Sequence, residues 1–178
     1  MIGHAAIRTR DGAEVDRELF GLANAGHGDV ADEVFGGVTE LGSIVAPLAA
    51  SGVLALAGRR RAAANGAGAA CASWLVLQGV KKLVERPRPG DAAPTATRLM
   101  IARPKASSWP SSHPAIITTF SRVVARDLGI GRGGRAVLTV LDLAVAYSRI
   151  YVGVHYPSDV ASGLLLGRAI ARWWPSRR

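Results

Sequence analysis

A fixed cation, an imidazole and a carboxylate lie within one short segment near the C-terminal end, from Ser148 to Asp159. Arg149 offers a planar fork of donors suited to phosphate, and His155 can act as a nucleophile or a proton carrier near neutral pH. If Pro157 opens a helix, Asp159 falls in the first turn and can reach back to the ring of His155, fixing its tautomer. The segment therefore predicts an activated imidazole beside an anion-binding cation. A packed histidine before an ordinary helix N-terminus is the structural alternative.

Two earlier segments carry side chains of the same chemistry. The segment Lys81 to Pro89 places Arg88 between two prolines, and a stiff backbone suits a pre-positioned clamp. The segment Pro110-Ser-Ser-His113 reads as a helix start, where exposed N–H groups favour anions. Ser111 there is expected either to cap the helix or to donate to a phosphate, two roles that are compatible.

These three segments resemble the three signature motifs of the type 2 phosphatidic acid phosphatase (PAP2) family. The matching positions are Lys81, Arg88 and Pro89 in the first motif, Pro110, Ser111 and His113 in the second, and Ser148, Arg149, His155 and Asp159 in the third. Their order and internal gaps agree, and the resemblance extends from Lys81 to Gly167. One position departs from it. The family usually has glycine where this chain has Ser112, whose side chain occupies a place where the backbone would otherwise approach a phosphate closely.

The resemblance implies a role for each site residue. His155 is expected to attack phosphorus and form a phosphohistidine, with Asp159 orienting it and His113 protonating the leaving oxygen and later activating water. The expected phosphate-binding residues are Lys81, Arg88, Ser111, Ser112 and Arg149. No cofactor is expected. A zinc site at the histidines is disfavoured because metal phosphatases need more carboxylates or histidines and the basic residues here would repel a cation.

Composition favours a membrane protein over a nucleic-acid-binding one. The chain has 178 residues, enough for one domain, with 49% hydrophobic residues and a net charge of +9. Its arginines cluster between apolar runs, as juxtamembrane charges do, rather than in one basic arm. The single cysteine, Cys71, excludes an intrachain disulfide and a thiolate metal cluster. The N-terminus lacks an apolar core with a cleavage site, so no cleavable signal peptide is expected.

The apolar pattern predicts an all-α, integral-membrane bundle of six helices. The first, Glu14 to Gly26, is short and amphipathic. The runs Val30 to Ala57, kinked at Pro47, and Ala62 to Val80 are each long enough to span a bilayer. The remaining helices are expected at 113–128, 135–153 and 157–174, the last with a Gly-x-x-x-Gly packing face. The family resemblance implies the core shared with acid phosphatases and vanadium haloperoxidases.

The chain is expected to have one domain. Residues 1–13 are expected to form a flexible N-terminus, 14–174 the helical membrane domain and 175–178 a basic tail. Within the domain, the proline-rich loop 85–112 is expected to cap the site.

The distribution of arginine predicts the orientation. Because successive helices alternate in direction, one set of arginines is expected on the same side of the membrane. These arginines are Arg59, Arg60, Arg61, Arg126, Arg132, Arg135, Arg168, Arg172, Arg177 and Arg178. The positive-inside rule makes that side cytoplasmic, so the three motifs are expected on the extracytoplasmic side of a bacterial inner membrane. Small residues on the helix faces leave room for a homo-oligomer.

The predicted function is metal-independent hydrolysis of a membrane lipid phosphate, with no nucleic-acid partner. By resemblance to small actinobacterial members of the family, the leading specific substrate is decaprenylphosphoryl-5-phosphoribose, in cell-wall arabinan synthesis. Phosphatidic acid, phosphatidylglycerol phosphate and undecaprenyl pyrophosphate remain alternatives. Two further hypotheses are a family enzyme acting on a soluble phosphoester or as a vanadate peroxidase, and a non-enzymatic membrane scaffold or lipid-binding protein.

Overall fold

A computed structural model describes residues 11–175 and is helical throughout, with no strand in that range. The predicted all-α class is confirmed. Of the predicted flexible N-terminus 1–13 and the predicted basic tail 175–178, residues 1–10 and 176–178 lie outside the described range, and α1 already begins at Gly12. The helices are α1 (Gly12–Asn24), α2 (Asp29–Glu40), α3 (Val45–Leu56), α4 (Arg60–Leu83), α5 (Pro89–Ala92), α6 (Ser112–Asp127), α7 (Arg132–Tyr151) and α8 (Pro157–Trp173).

The predicted count of six helices is wrong, since eight lie between residues 11 and 175. One additional helix is the single turn α5, which Pro89 begins inside the predicted loop. The other arises because the run Val30 to Ala57 is divided at 41–44, and α2 and α3 meet at 65°. The predicted kink at Pro47 is therefore misplaced, because Pro47 lies in the first turn of α3, where its missing N–H costs little.

By length and hydropathy, no single helix within residues 11–175 qualifies as a membrane span, whereas α2 and α3 qualify as a bent pair. The helix α4, which covers the predicted span 62–80, does not qualify alone.

The helix α6 lies at the centre of the bundle and packs against α4, α7 and α8. The buried side chains of Ala69, Val123 and Ala171 join α4, α6 and α8 in one apolar cluster. Gly163 and Gly167 of α8 lie against the backbone carbonyls of Ser111 and Ala115, at the N-cap and in the first turn of α6, where an added Cβ would clash. The predicted Gly-x-x-x-Gly packing face is confirmed, and the partner of α8 is α6.

The chain direction brings the predicted motifs to one end of this bundle. The helices α4 and α7 end there, with Lys81 and Arg149 in their last turns, and α6 and α8 begin there. The amphipathic helix α1 packs beside this end, because buried Phe20 contacts the ring of Tyr156 just before α8. Four helix termini therefore surround one space.

Candidate functional site

A cavity of about 370 Å³ opens where these helix ends meet. Six of the eight predicted site residues line it, and they are Lys81, Arg88, Ser112, His113, Arg149 and His155. The other two, Ser111 and Asp159, are fully buried and do not line it. Segments separated by more than 70 positions in the sequence thus converge on one space, as the resemblance implied.

His155 is held between a carboxylate and a cation. The residue is only 2% exposed. The Nδ1 atom lies 3.5 Å from Oδ2 of Asp159, and the Nε2 atom lies 3.3 Å from Nη1 of Arg88. A guanidinium can only donate, so Nε2 must carry the lone pair and Nδ1 the proton. This tautomer leaves the available lone pair of the ring on Nε2. The distance of 3.5 Å to Asp159 is long for a hydrogen bond, so this contact is an electrostatic one.

The electrostatic surroundings of His155 keep its ring neutral. Burial lowers the pKa of the ring most, and the positive charges of Arg149 and Arg88 lower this pKa further, while Asp159 raises it. Together they lower the pKa of His155 to about 3. The imidazole is therefore neutral and keeps a free lone pair over the physiological range of pH.

Asp159 is fixed by bonds from three directions. It lies in the first turn of α8, which Pro157 begins, as the spacing predicted. Its Oδ2 accepts the N–H of Tyr156 at 2.9 Å and the hydroxyl of Ser108, and its Oδ1 accepts from Nη1 of Arg86 at 2.5 Å. A carboxylate held in this way can orient the His155 ring without moving itself.

Three cations face the cavity, and none of them forms an ion pair with a carboxylate of the described residues. Within residues 11–175, neither Lys81, Arg88 nor Arg149 has an acidic side chain at ion-pair distance. Their polar atoms bind neutral groups, since Nζ of Lys81 donates to the carbonyl of Ser107 at 2.8 Å and Nη1 of Arg149 to the hydroxyl of Thr39 at 2.7 Å. Such a concentration of unpaired positive charge in a cavity selects an anion.

Arg88 is the most tightly positioned of these cations. The residue is 4% exposed, and its guanidinium donates to the carbonyls of Ala106 at 2.9 Å, Val154 at 2.8 Å and Ser107 at 3.2 Å. Pro89 follows it as the first residue of α5. Because three backbone carbonyls hold the guanidinium, the side chain is pre-organised.

The two serines before His113 differ in their surroundings. Ser112, where the family usually has glycine, begins α6 and lines the cavity. Ser111 occupies the N-cap position, but its hydroxyl makes no capping bond and has no hydrogen-bond partner among residues 11–175. Its backbone N–H instead donates to the carbonyl of Asp159 at 3.0 Å. The prediction that the Ser111 hydroxyl caps α6 is wrong, and its role as a phosphate donor stays a prediction.

Sequence reasoning missed a chain of polar residues behind the site. Arg86 links Asp159 to Asp16 of α1, with its Nη2 2.6 Å from Oδ2 of Asp16. Asp16 in turn accepts from the N–H and the hydroxyl of Ser158 at 2.8 and 2.6 Å. Arg86 could be found as one of several loop cations, but no local signal connects it to α1, and none distinguishes Ser108.

The cavity wall also contains the break between α2 and α3. Gly42, Ser43 and Ile44 line it, and an added Cβ at Gly42 would lie 2.7 Å from Cβ of His113. The backbone therefore approaches His113 more closely than any side chain would permit. No group of three or more histidine, cysteine, aspartate or glutamate residues between 11 and 175 could hold a metal ion.

Comparison with known proteins decides the family. The sequence profile of the PAP2 superfamily matches residues 62–177, more than half of the chain. The chain belongs to the PAP2 superfamily. The match includes all three motifs, and the family resemblance of the sequence is confirmed.

PAP2 relatives extend the similarity. Decaprenylphosphoryl-5-phosphoribose phosphatase of Mycobacterium tuberculosis is 37% identical over 124 residues, which cover 69% of this chain and 65% of that protein. The crystal structure of Aquifex aeolicus LpxE matches with a TM-score of 0.79 and 25% identity, covering 89% of this chain and 93% of that one. The transmembrane PAP2-type phosphatidylglycerolphosphate phosphatase of Bacillus subtilis has the same fold, with a TM-score of 0.72, 23% identity and coverage of 94% and 86%.

Proposed function

We propose that this PAP2 protein is a metal-independent lipid phosphate phosphatase that acts through a phosphohistidine. The observation that carries the proposal is the convergence of His113 and His155 with three cations unpaired by carboxylates in one cavity. Phosphoryl transfer needs positioning and charge stabilisation around the phosphoryl oxygens more than covalent assistance. The cavity offers a nucleophile, a second imidazole for proton transfer and a positive lining.

In the first step, the lone pair on Nε2 of His155 attacks phosphorus as the bond from phosphorus to the lipid oxygen breaks. His113 enters the step protonated, its charge balanced by the incoming phosphate anion, and gives that proton to the leaving oxygen. Lys81, Arg88 and Arg149 stabilise the negative oxygens of the phosphoryl group. Asp159 stabilises the positive charge that develops on the His155 ring. The products of this step are the lipid alcohol and a phosphohistidine.

In the second step, His113 takes a proton from water, and the water oxygen attacks phosphorus. The bond from phosphorus to Nε2 breaks, and the electron pair returns to the His155 ring. Inorganic phosphate then leaves. The loop between α4 and α6, which contributes Pro104, Lys105 and Ala106 to the wall, is proposed to cap the site during both steps.

The surroundings of the cavity favour a lipid over a soluble phosphoester. Ile44 and Trp74 form an apolar part of its wall. Large apolar side chains continue outward on exposed faces of α3 and α4, among them Val53 and Leu75. An amphiphile could place its phosphate in the cavity and its chain along these faces. The relative from Mycobacterium tuberculosis makes decaprenylphosphoryl-5-phosphoribose the first substrate to test.

We place the protein in a bacterial inner membrane with the catalytic cavity at the extracytoplasmic surface. The arginines Arg59 to Arg61 precede and begin α4 at the other end of the bundle, where the positive-inside rule puts the cytoplasm. A reporter fused after Arg178 that works only in the cytoplasm should be active. A silent but folded reporter would reverse the orientation.

The decisive assay measures phosphate release from a panel of lipid monophosphates and diphosphates in detergent with a metal chelator present. Wild type should turn over at least one member, and vanadate should inhibit it. His155→Ala should lower kcat by on the order of 10⁴-fold, as loss of a nucleophile does. The matched control is His27→Ala, which removes an exposed imidazole outside the cavity and should leave kcat unchanged.

Substantial turnover by a folded His155→Ala variant would refute the assignment of His155 as the nucleophile. Lipid binding without any turnover would favour a binding protein.

A further inference from the structure

A second cavity, of about 540 Å³, lies between α6, α7 and α8 at the opposite end of the bundle. It is lined by residues late in α6 and α8 and early in α7. Arg126 of its wall follows His113 by 13 positions on the same helix, which corresponds to about 20 Å along the axis. The two cavities share no lining residue. The catalytic chemistry therefore does not account for this second cavity.

Five arginines line this second cavity, and they are Arg122, Arg126, Arg135, Arg168 and Arg172. Its one carboxylate, Asp142, is buried and accepts the hydroxyl of Ser121 at 3.0 and 3.1 Å. Within the described residues, no acidic side chain lies at ion-pair distance from any of the five guanidinium groups. The cavity lining thus carries five positive guanidinium groups and one carboxylate, and that carboxylate already accepts a hydrogen bond from Ser121.

Arg126 adds a second observation that points to a ligand. Its Nη1 and Nη2 donate to the carbonyls of Ala171 and Trp174 at 3.1 and 3.2 Å, which fixes the guanidinium. Its Nε is excluded from solvent and has no acceptor within residues 11–175. A buried donor without an acceptor is costly, so an anionic oxygen bound nearby would be stabilised.

We propose that this cavity is a second binding site, for a phosphate-bearing anion, and that its occupant is the headgroup of an anionic phospholipid. Guanidinium forks bind phosphate in a bidentate manner, and a concave group of them holds it more tightly than scattered surface charges do. The proposal is independent of the catalytic function, because none of its residues touches the catalytic cavity.

The apolar surroundings favour a lipid headgroup over free phosphate. Leu138, Ala125 and Ala171 form the apolar part of the wall. On the same stretch of α7, Val137 and Val140 are 69% and 66% exposed, so acyl chains could lie against them. If the bundle has the orientation proposed above, this end faces the cytoplasmic leaflet, where anionic headgroups and basic side chains attract one another.

The test measures binding of dioctanoyl phosphatidylglycerol to the full-length protein in detergent by native mass spectrometry. This probe is a phosphodiester, so monoester hydrolysis does not consume it. Arg168→Gln with Arg172→Gln removes two exposed cavity charges, and Arg59→Gln with Arg60→Gln removes two charges from the same end outside the cavity. The first pair should weaken binding about tenfold or more, and the control pair should change it less than about twofold. Unliganded thermal unfolding establishes that both variants are folded.

Three outcomes would overturn the assignment. Equal weakening by both pairs would mean diffuse charge attraction rather than a site. Loss of binding in Arg88→Gln, with no effect of the cavity pair, would place the probe in the catalytic cavity. Binding of inorganic phosphate that depends on Arg168 and Arg172, with no binding of the lipid, would assign the cavity to a free anion and refute the headgroup. Dioctanoyl phosphatidylcholine, which has no net charge, should bind more weakly than phosphatidylglycerol.

Discussion

Replacing Gly42 with alanine should displace His113 without removing any reacting group. An added Cβ would lie 2.6 Å from Cγ1 of Val145 and 2.7 Å from Cβ of His113, whereas ordinary contacts begin near 3.4 Å. Relief of the overlap requires a movement of about 0.8 Å, and a misplacement near 1 Å can cost on the order of 10²-fold in rate. We therefore expect kcat/KM for the lipid phosphate to fall by roughly 10- to 100-fold.

The same overlap should lower stability moderately. Forcing extra volume into a packed position costs about 1–3 kcal/mol, and each kcal/mol lowers the Tm of a protein of this size by about 2–4 °C. The matched control is Gly37→Ala in α2, where an added Cβ would meet no described atom within 4 Å. That control should keep full activity, because the added Cβ displaces nothing. It should also lose no stability, because alanine stabilises a helix interior by roughly 0.5–1 kcal/mol relative to glycine.

The assay is phosphate release per folded molecule, with thermal unfolding measured on the same samples. If displacement of His113 causes the loss of activity, kcat/KM should fall far more in Gly42→Ala than in Gly37→Ala. If Gly42→Ala retains both the wild-type kcat/KM and the wild-type Tm, the close approach of the α2–α3 break to His113 is not real.

Three further substitutions or titrations test the groups around the reacting atoms. The ring of His155, whose pKa is lowered to about 3, should stay neutral in a ¹⁵N NMR titration of the free protein down to about pH 4, and protonation near pH 6.5 would contradict the inferred burial and charge. Stability that depends on this group should fall as pH drops from about 6.5 towards 3, since the unfolded state binds the proton first. Thr39→Val should raise KM and destabilise the protein by about 1–3 kcal/mol, because it leaves a donor of buried Arg149 unpaired; unchanged KM and Tm would show that this contact is dispensable. Asp16→Asn should lower kcat roughly fivefold, about 1 kcal/mol, by loosening Arg86 behind the carboxylate of Asp159, and an effect on KM alone would contradict that route.

The parts of the site that local spacing controls were predictable from the sequence. Pro157 and Asp159 form the first turn of α8 because a proline at the first position and a carboxylate at the third suit any helix N-terminus. The relation of Asp159 to His155 follows from the same turn. Convergence of the three motifs was predictable only through the family resemblance, since no local rule brings Lys81 beside Arg149.

The parts that depend on tertiary contacts were not predictable. The run 30–57 reads as one apolar helix, but Gly42 packs its backbone on His113 and the chain breaks there. The bonds of Arg86 to Asp16 and Asp159 join residues about 70 positions apart, so the sequence shows only a loop cation and an amphipathic helix. The position of Ser111 suits either a capping bond or a bond to phosphate, and the structure shows that its hydroxyl makes no capping bond and lies buried without a partner among the described residues.

The central claim is that Nε2 of His155 attacks phosphorus, and trapping the phosphoenzyme tests it most directly. An aryl phosphate needs no proton on its leaving group, so His113→Ala should still form the intermediate but hydrolyse it slowly. Rapid quenching at alkaline pH followed by peptide mass spectrometry should then place the phosphoryl group on the peptide containing His155. The double variant His113→Ala with His155→Ala should carry none. A phosphoryl group on another residue, or turnover of wild type with no trapped phosphohistidine in His113→Ala, would contradict the account.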